Sequence, residues 1–182
     1  MRAVGVDPVD DTRVTFRALL DAMSRPGTVE SVPARADHAV VSTLVDHEIT
    51  VATDDDELRT ALSEQGRLDA AAPDAADIVH ARDYTGFDVT ACKRGSLVEP
   101  SNGATVVYAV DAVVPTTDTD MTTVALTGPG VDGTTTLSVP LPEAELTAIA
   151  DAQADYPRGV DAVFAAEETV AAVPRSVHME VA

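Results

Sequence analysis

Apolar residues at helical spacing predict an amphipathic helix as the first element of the chain. Positions i, i+3, i+4 and i+7 of one face are occupied by Phe16, Leu19, Leu20 and Met23. Asp10, Asp11 or Thr12 can cap the start of this helix. Pro26 and Gly27 end it, because proline disfavours helical geometry in the residue before it. We therefore expect the four apolar side chains to lie in the core.

The remaining chain alternates between helical and extended patterns. Further helices are expected at 37–44, 55–65 and 142–149, and strands at 28–32, 49–52, 78–81, 104–114, 121–126, 134–139, 160–165, 169–173 and 176–181. The strands at 104–114, 121–126 and 134–139 look like a meander. No internal repeat interrupts the pattern, so residues 1–182 are expected to form a single mixed α/β domain.

Charge narrows the range of partners. The chain has 31 acidic and 12 basic residues, a net charge of -19, and Lys93 is its single lysine. Self-repulsion of this size destabilises a compact chain in dilute buffer and is screened by molar salt, so we expect adaptation to a salt-rich cytoplasm. An acidic mesophilic protein is the alternative. The same charge argues against nucleic acid and anionic membranes as partners. No apolar run approaches the roughly 18 residues of a membrane span, and a cytoplasmic location is expected.

A glycine-rich segment at 128–133, GPGVDG, satisfies the spacing G-x-G-x-x-G of dinucleotide-binding loops. Those loops lead from a strand into a helix, whose N-terminus holds the pyrophosphate. Here another β-rich segment, TTTLSV, follows. We therefore interpret the segment as a hairpin turn.

Cys92 and Lys93 carry reactive groups but have no supporting pattern. Cys92 stands beside Lys93 and Arg94, whose charges favour a thiolate, yet no histidine is near in sequence, so a small buried hydrophobe is the simpler interpretation. Lys93 alone could form a Schiff base with pyridoxal phosphate, but it also fits a solvated loop.

A metal site has equally little support from spacing. His178 and Glu180 resemble the H-x-E of zinc deaminases, but the accompanying Cys-x-x-Cys is missing. A zinc site that combines His178 with His38, His47 and His80 stays open.

Arginines are the better candidates for binding an anion, since the guanidinium holds phosphate-like oxygens bidentately. Arg158 and Arg175 lie beside prolines in irregular sequence and are the preferred ligand residues. Arg17 and Arg25 belong to a charged ladder on the first helix and are candidates for an interface or an anion site.

Four segments, in this order along the chain, resemble the PhnH family of phosphonate carbon–phosphorus lyase subunits. They are FRALLDAMSRPG at 16–27, EPSNGATVV at 99–107, LTGPGV at 126–131, and YPRGVDAVF with VPRSVHMEV near the C-terminus. The resemblance implies a three-layer α/β/α fold with a mixed sheet, related to the pyridoxal-phosphate transferases but without the cofactor or its lysine. It also implies a homodimer when the chain is isolated. It carries over no catalytic residue.

The resemblance further implies a non-autonomous subunit that works with PhnG, PhnI, PhnJ and PhnL. Together these convert ATP and an alkylphosphonate to ribose 1-alkylphosphonate 5-triphosphate and then cleave the carbon–phosphorus bond. Arg175 or His178 would then serve a site shared with a partner. Two alternatives remain: a free-standing phosphonate- or phosphate-binding module, and a small hydrolase that uses Cys92.

Overall fold

A computed structural model describes residues 5–82 and 87–182 of the chain. Within these residues the α-helices are α1 (Asp10–Ser24), α2 (Ala36–Leu44), α3 (Asp56–Glu64) and α4 (Glu143–Gln153). The strands are β1 (Glu30–Ser31), β2 (Thr50–Thr53), β3 (Asp69–Ala70), β4 (Ile78–Ala81), β5 (Thr105–Ala109), β6 (Thr122–Thr127), β7 (Thr135–Val139), β8 (Asp161–Ala166), β9 (Thr169–Val173) and β10 (His178–Val181). Each expected helix and strand has a counterpart in the structure, while β3 was not expected.

A seven-stranded mixed sheet forms the centre of the molecule, in the order β1-β9-β8-β5-β4-β2-β3. The five strands from β8 to β3 run parallel, and β9 is antiparallel to β8. Parallel strands are covered on both faces, which is why β4 and β5 are nearly continuous apolar runs rather than alternating ones.

Two apolar cores lie on the two faces of this sheet. On one face α1, α2 and α3 pack through small and branched residues such as Ala22, Val41 and Leu62. On the other face α4 and a second sheet bury Leu146 and Ile149, as the sequence predicted. The large sheet therefore lies between two covering layers, of which the second combines a helix with strands. The mixed α/β class is confirmed.

The expected meander is wrong in one respect. β5 pairs with β4 and β8 in the middle of the large sheet. β6 and β7 instead form an antiparallel hairpin that β10 extends into a three-stranded sheet. Local patterning cannot show this, because strand pairing across the chain depends on which faces need covering. The glycine-rich segment 128–133 does join β6 to β7 as a hairpin connection, as predicted.

The buried face of α1 differs from the expected one. Phe16 and Leu20 are 50% and 54% exposed, whereas Leu19 is buried. The remaining buried positions are occupied by the small residues Thr15, Ala18 and Ala22. α1 contacts α2 and β9, and small side chains let it approach these elements closely. The large apolar residues thus identified the helix but not its inner face.

In the part of the chain that the structure describes, no helix is both long and apolar enough to cross a membrane.

Candidate ligand-binding site

Two neighbouring parallel strands, β2 and β4, bring Thr53 and His80 side by side where the strands end. The two residues are paired in the strand register, and both are buried. The Thr53 Oγ1 and His80 Nδ1 atoms are 2.9 Å apart. α/β sheets bind ligands at the carboxyl ends of their parallel strands, so a ligand site is expected at this edge of the sheet.

The first turn of α2 adds a carboxylate to this pair. Asp37 Oδ2 lies 3.2 Å from His80 Nε2, which forms a chain of hydroxyl, imidazole and carboxylate. Burial alone would raise the pKa of Asp37, but the hydrogen bond from His80 and the neighbouring charge of His38 bring it below its ordinary value. An ionised Asp37 accepts from His80 Nε2–H, and His80 Nδ1 then accepts from the Thr53 hydroxyl.

A second carboxylate, Asp55, joins α3 to the same cluster. Its Oδ1 caps α3 by accepting from the Leu58 amide at 2.8 Å, and its Oδ2 lies 2.9 Å from His38 Nε2. Arg82 donates to the same oxygen. Burial raises the pKa of Asp55, but these three hydrogen bonds outweigh it and hold the pKa well below its ordinary value. Asp55 is therefore a fixed negative charge at neutral pH.

Arg35 and Glu57 cover the outer side of the cluster. Their fork of two hydrogen bonds measures 2.9 and 3.0 Å. Arg35 has a left-handed backbone (φ 61°) just before α2, and its Nη2 lies 3.2 Å from His38 Nε2. His38 is fully buried, and its Nδ1 has no hydrogen-bond partner among the described residues. The histidine is thus oriented through Nε2.

A cavity of about 400 Å³ opens beside Thr53 and His80. It is lined by Val51, Ala52, Thr53, Asp54, Arg59, Ala71, Pro73, Val79, His80, Ala81 and Phe87. Apolar side chains therefore form most of its wall, and Thr53, Asp54, Arg59 and His80 form a polar end. Volumes of this size and mixed linings of this kind are typical of sites for small molecules.

Of the ligand residues predicted from the sequence, Arg158 and Arg175 lie at the opposite edge of the large sheet, near the start of β8 and the end of β9. His178 begins β10 in the second sheet. Arg175 Nε is 3.1 Å from both carboxylate oxygens of Asp161. Its terminal nitrogens donate to the carbonyls of Pro100 and Gly103, at 2.6 and 3.3 Å. Arg175 thus links its own stretch, 173–181, to the stretches 99–107 and 156–164, all of which carry the family resemblance. Its guanidinium is already hydrogen-bonded within the chain.

The other predicted residues are more exposed. Arg158 pairs with Asp155 at 2.9 Å, and His178 pairs with Glu180 at 2.9 Å, with both of the latter side chains at least 70% exposed. The structure does not bring Arg158 or His178 into the cluster around His80. Their role in a ligand site stays a prediction.

Directly after α1, Arg25 lies 3.4 Å from Asp21 and 3.5 Å from Glu30. Arg17 is exposed and has no ion pair or hydrogen bond within residues 5–82 and 87–182. Its charge is therefore available to a partner.

The reactive groups singled out in the sequence are held in inert settings. Burial, with a smaller contribution from Asp88, raises the pKa of the Cys92 thiol to about 11, so this thiol stays protonated at neutral pH. Lys93 is ion-paired with Asp77. Among the described residues, no three histidine, cysteine or acidic side chains are placed to hold a metal ion.

Sequence reasoning missed the cluster because its members are far apart in the chain. Asp37 and His80 are 43 positions apart, and His38 and Asp55 are 17 apart. A signal was nevertheless present: polar residues follow or end two strands, at Thr53, Asp55 and His80. The rule that parallel strands end at a common edge would have grouped them.

The fold and this edge define a mixed α/β protein with a cavity of about 400 Å³ at the carboxyl ends of its parallel strands. The family model described as "Bacterial phosphonate metabolism protein (PhnH)" matches residues 5–180. The chain therefore belongs to the PhnH family, as the sequence segments indicated.

Two relatives are similar to this chain over most of its length. HtxG of Stutzerimonas stutzeri, whose name proposes it as a C-P lyase subunit protein, is 30% identical over 92% of this chain and 85% of its own length. The "Alpha-D-ribose 1-methylphosphonate 5-triphosphate synthase subunit PhnH" of Rhizobium meliloti (strain 1021) is 30% identical over 96% of this chain and 92% of its own. The similarity thus covers nearly the whole chain.

Proposed function

We propose that this chain is a non-autonomous subunit of a carbon–phosphorus lyase system. It supports the formation of ribose 1-methylphosphonate 5-triphosphate from ATP and methylphosphonate, in the cytoplasm. The observation that carries the proposal is the family match over residues 5–180, together with a relative named as a synthase subunit. PhnG, PhnI, PhnJ and PhnL type subunits are the proposed partners, and the isolated chain is proposed to dimerise. The likeness to pyridoxal-phosphate transferases remains part of this proposal.

The exposed side of α1 is the proposed contact with a partner subunit. Val9, Phe16 and Leu20 are spaced at i, i+7 and i+11, and each is at least half exposed. Arg17 lies beside this stripe without an ion pair in the described chain. A partner that covers the stripe would therefore offer apolar side chains and a carboxylate opposite Arg17.

Co-purification from a host that co-expresses the partner subunits, in molar KCl, tests the proposal. A tagged wild-type chain is expected to retain the partners. A variant with Phe16→Ser, Leu20→Ser and Arg17→Glu is expected to lose them while keeping the circular dichroism of the wild type. Arg158→Glu, an exposed charge change at the far edge of the sheet, is the matched control. Failure of the wild-type chain to retain any partner contradicts the subunit role, and retention by the α1 variant contradicts only the location.

A further inference from the structure

The cavity beside β2 and β4 has two chemically different ends. Its apolar wall comes from Ala52, Val79 and Ala81 on the two strands, and from Ala71 and Phe87 outside them. Its polar end comes from Thr53, Asp54, Arg59 and His80. A ligand that matches both ends has a small apolar body and a polar head group.

The guanidinium of Arg59 indicates that the head group of the ligand is negatively charged. It extends from α3, and its Nη2 donates to the Thr53 carbonyl, which holds the guanidinium at the end of β2. Within residues 5–82 and 87–182 no carboxylate lies within ion-pair distance of it, in contrast to Arg35 and Arg82 nearby. In a chain with 31 acidic residues, a cavity guanidinium that forms no ion pair among the described residues is free to receive an external anion.

Thr53 and His80 give the polar end a fixed shape. The Thr53 hydroxyl accepts from the Asp55 amide at 3.1 Å and meets His80 Nδ1 at 2.9 Å, while His80 Nε2 is bound to Asp37. The side chains of Thr53 and His80 point to the face of the sheet opposite Ala52, Val79 and Ala81, because alternate residues of a strand face opposite sides. Their polar atoms are bound within the chain, so the side-chain groups left to meet a ligand at this end are those of Arg59 and Asp54. The exposed carboxylate of Asp54 weakens the binding of an anion, because its negative charge repels an anion at the same end of the cavity.

We infer that this cavity binds a short-chain alkylphosphonate, with its alkyl group against the alanine and valine wall and its oxyanion head at Arg59. The choice of phosphonate over carboxylate rests on the proposed function. The anionic head and the apolar tail rest on the cavity itself. This places phosphonate binding at the carboxyl edge of the sheet, away from Arg158 and Arg175.

Isothermal titration calorimetry of the full chain at one fixed KCl concentration tests the inference. The probes are methylphosphonate, propylphosphonate, butyrate and inorganic phosphate. Propylphosphonate is expected to bind most tightly, with about a fourfold gain for each methylene added to methylphosphonate. Inorganic phosphate, which lacks a tail, is expected to bind more weakly than methylphosphonate. Butyrate binding as tightly as propylphosphonate overturns the choice of head group.

Three variants locate the site. Arg59→Gln is expected to weaken propylphosphonate binding at least tenfold, and Arg13→Gln, the matched control at an exposed arginine that does not line the cavity, to leave it unchanged. Asp54→Asn is expected to tighten binding by several fold, because it removes a repulsive charge. Phe87→Ala is expected to reduce the gain per methylene while inorganic phosphate binds as before. Because Arg59 and Asp54 are exposed, their variants are expected to fold.

No binding of any phosphonate at millimolar concentration, or equal losses in Arg59→Gln and Arg13→Gln, overturns the inference. Its failure is distinguishable from failure of the proposed function. A chain that retains its partners but binds no phosphonate contradicts the cavity assignment alone. A chain that binds propylphosphonate but retains no partner contradicts the subunit role.

Discussion

The carboxylates of Asp37 and Asp55 are ionised inside the protein because histidines and Arg82 stabilise their charges. Their pKa values are lower in the folded chain than in the unfolded chain, where the pKa of an Asp is about 3.9. The stability that they contribute is therefore fully present above that unfolded-state value. It is lost as the pH falls through the lower, folded-state pKa.

Asp55→Ala is expected to lower the free energy of unfolding at pH 7 by about 3 kcal/mol, because it leaves His38 and Arg82 without their carboxylate and α3 without its cap. Urea unfolding in fixed KCl, between pH 7 and pH 3, measures both the loss and its pH dependence. The variant is expected to lose less stability than the wild type over the acidic range. Asp46→Ala removes an exposed carboxylate that accepts from the Glu48 amide and is the control. Equal acid sensitivity of Asp55→Ala and wild type contradicts the linkage.

At Cys92 the environment suppresses the reactivity that the neighbouring Lys93 and Arg94 suggested. The thiol is 3% exposed, and burial raises its pKa to about 11. Both access and thiolate content are therefore low at neutral pH.

Native protein is expected to react with iodoacetamide at pH 8 at least a hundredfold more slowly than the urea-unfolded chain, in which Cys92 is accessible. Mass spectrometry of quenched samples gives both rates. Cys92→Ser is expected to abolish labelling in both states, which confirms the site of modification. Rapid labelling of the folded chain would restore the hydrolase alternative.

At the scale of elements, α1 shows that the apolar residues which predict a helix are not all buried when the helix packs. Leu19 faces the core, while Phe16 and Leu20, on the adjacent strip of the helix, face outwards. The cost of truncating a side chain follows its burial and not its hydrophobicity alone.

Leu19→Ala is expected to destabilise the isolated chain by about 3 kcal/mol, whereas Phe16→Ala is expected to change its stability by less than about 0.5 kcal/mol. Chemical unfolding of the two variants under identical salt conditions compares them directly. A loss from Phe16→Ala as large as that from Leu19→Ala would mean that Phe16 is covered in solution, for example by a second copy. In that case the comparison should be repeated as a function of protein concentration.

The segments that carried the family resemblance are explained by contacts between turns. A Cβ on Gly130 would overlap the Ser24 carbonyl, and a Cβ on Gly27 would overlap Thr135. FRALLDAMSRPG and LTGPGV are thus packed against each other, with Gly27 and Gly130 at positive φ. At the other edge, Gly103 and Gly159 make room for Arg175. These motifs identify the fold and do not locate the cavity.

At the scale of the whole molecule, the net charge of -19 dominates the long-range electrostatics. Local ion pairs such as Arg35–Glu57 and Arg175–Asp161 neutralise part of it, but acids outnumber bases by more than two to one. Repulsion among exposed acids weakens the compact state in dilute buffer, and salt screens it.

The melting temperature is expected to rise by at least 10 °C between 0.1 M and 2 M KCl, measured by circular dichroism. A variant with Asp111→Asn, Asp120→Asn and Asp132→Asn, at three exposed positions, is expected to need less salt for the same stability. Equal melting temperatures in low and molar KCl would contradict adaptation to a salt-rich cytoplasm.

The sequence by itself determined the elements and the family. Helix boundaries such as Gly66 after α3 and the proline before α4, and apolar runs such as β4 and β9, reflect short-range chemistry that is visible in the residues. Only the tertiary structure decided that β5 leaves the predicted meander, that Phe16 and Leu20 face outwards, and that Asp37, Asp55 and His80 meet beside a cavity. Each of these depends on contacts between residues far apart in the chain, and local patterns of hydrophobic and polar positions do not encode such contacts.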